Sequence, residues 1–79
     1  MNIRHDDEDH VTYYGDGPLI DREGYAVEVA SEDGTNLCRV RVSTHPDSGP
    51  RLRADLDAAA VTELRDRCDA WLTDHQEKQ

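Results

Sequence analysis

The chain has 79 residues, of which eighteen are acidic and nine basic, for a net charge of −9. That balance argues against general affinity for the nucleic-acid backbone, which needs positive charge. No apolar run approaches membrane-spanning length, and the chain suffices for one domain. With 35% hydrophobic residues, one Trp and no Phe, the candidate core amounts to about eighteen side chains, enough for one sheet and one covering helix. Eight of the nine basic residues are Arg. That ratio suits a GC-rich coding sequence such as a high-GC bacterium, one of its phages, or a halophile.

Residues 1–10 are polar, acidic and without periodicity, and are expected to form a flexible tail, leaving 11–79 as a single small domain. Met1-Asn2-Ile3-Arg4-His5 runs straight into Asp6-Asp7-Glu8-Asp9, with no apolar core of the kind an export signal has, so the expected location is the cytoplasm. A first strand is expected over about 11–14. Gly15-Asp16-Gly17-Pro18 follows as turn chemistry, Leu19-Ile20 resembles a short edge strand, and Asp21 to Gly24 supplies a second turn.

Two further strands, about 25–31 and 36–43, alternate with period two and flank a loop with an Asp-Gly step, which reads as a hairpin. In the register expected, Val29 faces Cys38, Val27 faces Val40 and Tyr25 faces Val42 on one side, with Glu28 opposite Arg39 on the other. A loop from Ser43 to Pro50 leads to a strand over about 50–55, whose Arg51 and Arg53 point the same way as Arg39 and Arg41.

From about 57 to 75 the period becomes helical. Val61, Leu64, Cys68, Trp71, Leu72 and His75 fall on one stripe, and Asp55 or Asp57 can accept hydrogen bonds from the first turn's amides. The expected fold is therefore α+β: an antiparallel sheet of three to four strands with one C-terminal helix packed across its apolar face.

The other face of that sheet is the candidate site. Arg39, Arg41, Arg51 and Arg53 gather there with Glu28, and two readings compete. Either nearby acids neutralise the guanidiniums, whose stems simply cover the sheet, or the face awaits an anion: a partner's carboxylates, a phosphate backbone, or the chain's own Asp6, Asp7, Glu8 and Asp9. The acidic segment, with its flanking His5 and His10, also has ligand chemistry for a divalent ion, yet lacks the internal glycine and alternating ligands of a calcium loop. No metal site or cofactor motif is assigned.

Catalysis finds no constellation. Cys38 and Cys68 are thirty residues apart and read as reduced core thiols, with a strand-to-helix disulfide as the alternative. His45 precedes Pro46, Asp47 and Ser48 in one loop, and sequence neighbours are not a triad. The expected function is that of a small acidic, non-enzymatic protein-protein interaction module, in concrete form a phage-encoded or host regulatory inhibitor that acts by occupying an unidentified protein partner. So thin a core also favours a homodimer. The rival function is nucleic-acid binding through the arginine face.

Overall fold

A computed structural model of the chain describes residues 1–44 and 51–76. Among these residues five strands and one helix follow in order: β1 (Ile3–Asp6), β2 (Val11–Ile20), β3 (Ala26–Glu32), β4 (Cys38–Ser43), β5 (Arg51–Leu56) and α1 (Ala58–Gln76). The strands form one antiparallel meander in sequence order, β1-β2-β3-β4-β5, the topology that short connections favour. The fold is α+β with a C-terminal helix, and the sheet has five strands rather than three to four.

The fifth strand comes from the segment expected to be a tail. Ile3 to Asp6 pairs with Tyr14 to Val11, so residues 3–6 are an edge strand and Asp7 to His10 its turn. Asp6 holds that turn, its Oδ1 accepting from the backbone N–H of Glu8 at 2.9 Å and of Asp9 at 3.2 Å, while His10 takes a φ of 56°. Strand β2 is also longer than expected. It runs through Gly15-Asp16-Gly17-Pro18 as an irregularity between Tyr14↔Val29 and Leu19↔Val27, and Gly15 supplies the positive φ of 111° that such a bulge uses.

The hairpin of β3 and β4 forms, with its register displaced by two residues. Val27 faces Val42, Val29 faces Val40, and Glu28 faces Arg41 rather than Arg39. An even displacement keeps every side chain on its expected side, because the side-chain period of a strand is two. The turn sets the register: Thr35 N–H donates to Glu32 O at 3.1 Å and the Thr35 hydroxyl to the same oxygen at 2.8 Å, around Gly34 at φ 83°.

The expected roof does not form within one chain. Among the described residues helix α1 packs mainly against β5, the strand it follows, and none of its described residues is buried. A single residue, Asp57, separates Leu56 from Ala58. It caps the helix, its Oδ1 accepting from Ala60 N–H at 2.8 Å and its carbonyl from Val61 N–H at 2.9 Å. A one-residue link leaves no loop by which the helix could turn back over its own sheet. The molecule is correspondingly extended: its radius of gyration is 14.1 Å, against about 12 Å for a compact chain of this length.

Candidate functional site

The register sorts the sheet into two unlike faces. On one, strand neighbours run Ile3, Tyr14, Val29, Val40, Ala54 in one row and Leu19, Val27, Val42, Leu52 in the next. On the other, Arg39 pairs with Asp55, Arg41 with Arg53, and Arg51 with Ser43. The four arginines singled out in the sequence therefore share a face with Glu28.

That face is the better shielded of the two. The four buried side chains among the described residues, Val11, Ala26, Ala30 and Ser43, all have register positions on the arginine side. Short side chains between long ones are screened by their neighbours' aliphatic stems, as snorkelling cations do elsewhere. Arg4 adds to the cover, its guanidinium 5.3 Å from the Tyr13 ring centroid.

The guanidiniums are also engaged. Arg41 Nη2 donates to Glu28 Oε1 at 2.7 Å. Arg39 reaches Glu32 at 3.2 Å and Asp55 at 3.4 Å, and Arg53 reaches Asp55 at 3.6 Å. The Arg41 pKa is raised, chiefly by its hydrogen bond to Glu28, with burial opposing. Side-chain exposures of 16% for Arg39 and 24% for Arg41 describe cations folded down onto the sheet, whereas Arg53 on the edge strand β5 is 58% exposed.

The acidic segment does not reach them. Asp6 is held in its own turn, and Asp7 Oδ1 lies 3.1 Å from His5 Nε2. Glu8 and Asp9 contribute their backbone N–H groups to the Asp6 turn. Strands β2 and β3 stand between this turn and the arginines of β4. His5 also lies 3.4 Å from Asp33 and 2.9 Å from Thr12 Oγ1, a link between the two loops at that end of the sheet. Among the described residues no group of three His, Cys, Asp or Glu side chains is arranged to hold a metal ion.

The surface that lacks cover is apolar. Tyr14, Leu19, Val42 and Leu52 are exposed, Leu52 by 76%, and so are Leu64, Trp71 and Leu72 on α1, Trp71 by 58%. Open depressions lie among the described residues on this side of the sheet. One of about 270 Å³ is lined by Tyr25, Val42, Ser43, Thr44 and Leu52. A second of about 240 Å³ adds Val40 and Ala54, and a third of about 320 Å³ lies around Tyr14, Val29 and Leu37.

Both cysteines are free, and neither is the buried core thiol expected: Cys38 is half-buried at the start of β4, and Cys68 is exposed on α1. The Trp71 and His75 rings stack with centroids 4.0 Å apart, and His75 Nδ1 lies 2.9 Å from the Trp71 carbonyl. His75 thus serves the helix end. His45, Asp47 and Ser48 lie outside the described residues. No helix among those described is long and apolar enough to cross a membrane. No known protein family, no curated protein and no solved structure matches the chain.

Proposed function

We propose that this is a non-enzymatic protein-interaction module whose working surface is its apolar side, formed by the open sheet face and the α1 stripe. The supporting observation is the inversion between the two sheet faces. On the charged side Arg39 and Arg41 are folded down and ion-paired and the small residues between the strands are buried, although Arg53 at the edge stays 58% exposed. On the other side Val29, Val42 and Leu52 are exposed and, among the described residues, no side chain is buried. Uncovered apolar surface of this kind marks sites of association. A regulatory inhibitor that acts by occupying its target is the concrete form of this reading. The two unpaired thiols suit a reducing compartment, and we place the protein in the cytoplasm.

Nucleic-acid binding through the arginines is the competing proposal, motivated by the shared face of Arg39, Arg41, Arg51 and Arg53. The carboxylates already bound to three of them and the net charge of −9 oppose it. Affinity capture with three baits separates the two readings. A protein partner, including a second copy, should be retained by the native chain and by the double variant Arg39→Glu with Arg53→Glu, and lost with Val42→Asp. Co-purifying nucleic acid that disappears with the arginine variant, and no protein sensitive to Val42, would contradict the proposal.

A further inference from the structure

The chain carries two apolar surfaces that it does not bring together: a sheet face and a helical stripe of Val61, Leu64, Cys68, Trp71 and Leu72. Resting on the interaction-module reading, we infer that each is the partner of the other in a second copy, so that two protomers exchange helices and α1 of each lies across the apolar sheet face of its mate.

Four observations carry this. The first is area. The single chain exposes 6353 Å², about 1,500 Å² more than the roughly 4,800 Å² of a compact protein of its mass. Hiding all of that excess on two protomers would remove about 3,000 Å², an upper bound on the contact that lies within the range of obligate dimers. The second is length. The 19 residues of α1 extend about 28 Å, and the outer strands of a five-stranded sheet lie about 19 Å apart, so one helix spans all five. The third is the link. With only Asp57 between strand and helix, α1 has little loop with which to fold back across its own sheet, a setting in which exchange of an element follows at little cost.

The fourth observation is charge. Two copies at −9 each repel over most of their surfaces. The apolar sheet rows and the helical stripe are free of carboxylates at their register positions, so these surfaces can meet without opposing like charges. Association through the sheet edges is disfavoured instead, because β5 presents Arg51, Arg53 and Asp55 and β1 presents Arg4, His5 and Asp6, the charged edges that block strand addition. A two-fold exchange also satisfies both surfaces of both copies by one repeated contact, as isologous symmetry requires.

Light scattering on the purified full chain at micromolar concentration should give about 18 kDa, twice the 8.9 kDa of the chain. Val42→Asp on the sheet and Trp71→Asp on the helix should each give monomers, and mixing the two should restore dimers, since one of the two exchanged contacts is then built from unaltered surfaces. A monomeric native protein overturns the exchange. So does a dimer that survives either substitution, or folded variants whose mixture stays monomeric. Should the variants unfold, a native dimer assembled from isotope-labelled and unlabelled chains decides: intermolecular cross-peaks between the Trp71 ring and the Val42 or Leu52 methyls support the exchange, and their absence overturns it. A native monomer that still captures a Val42-dependent protein would leave the interaction-module reading intact, whereas a monomer that captures nothing would remove both.

Discussion

Arg41 and Glu28 face each other across β3 and β4, with Nη2 and Oε1 2.7 Å apart, on the charged face of the sheet. Both side chains are mostly shielded, so the pair is stronger than an exposed ion pair. Glu28→Gln should destabilise the fold by about 1 kcal/mol and Arg41→Met by somewhat more, because the latter leaves the Glu28 carboxylate unpaired. Urea denaturation of the two single variants and the double variant checks this, with a coupling between them as the expected signature.

The same pair fixes a pH dependence. Glu28 raises the Arg41 pKa, so its contribution to stability is complete below the ordinary guanidinium range and is lost only as pH rises through the raised value. From neutral pH to about pH 11, the stability difference between the native chain and Arg41→Met should therefore stay constant as far as Arg41 titration is concerned. Denaturation midpoints measured at several alkaline pH values test this. A difference that shrinks well below that limit would count against the assigned cause.

Asp57 is the only residue between β5 and α1, and its carboxylate accepts from Ala60 N–H at 2.8 Å. Asp57→Ala should cost about 1 kcal/mol through loss of the cap. Hydrogen exchange should show the first turn of α1 opening more readily while the sheet amides keep their protection. Equal loss in both would mean that the cap supports the whole fold.

Gly34 adopts φ 83° in the β3–β4 turn, with open space where a Cβ would sit. Gly34→Ala should therefore cost about 1 kcal/mol from backbone strain alone, without a clash. Thermal unfolding should show a midpoint lowered by several degrees, as expected of a domain this small. Gly17, which has no positive φ and equally open surroundings, is the control at which alanine should be tolerated.

Strand alternation made the two faces of the sheet legible. Val27, Val29, Val40 and Val42 fall on one side and Arg39 and Arg41 on the other in any register of the correct parity, so the sides were read correctly although the pairing was displaced by two residues. The displacement was not legible, because it depends on how tightly the chain turns at Glu32 to Thr35. Strand β1 was missed because Ile3-Arg4-His5-Asp6 carries almost no apolar signal, and its strand is imposed by pairing with β2.

The helix was legible from its period, but its position was not. Periodicity says that a stripe exists, and the one-residue link at Asp57 decides that the stripe does not cover its own sheet. The arginine cluster was legible as a cluster. Whether it is available depended on Glu28, Glu32 and Asp55, which register alone brings within reach.

Trp71 is the single tryptophan of the chain and lies exposed on α1, so its fluorescence reports directly on whether the apolar side is covered. In the native protein at high concentration, Trp71 should emit toward the blue and resist quenching by acrylamide, then shift red and become accessible on dilution. A Trp71 that is fully quenchable at every concentration, and that stays so when the captured partner is added, would contradict the claim that this side of the molecule is its interaction surface.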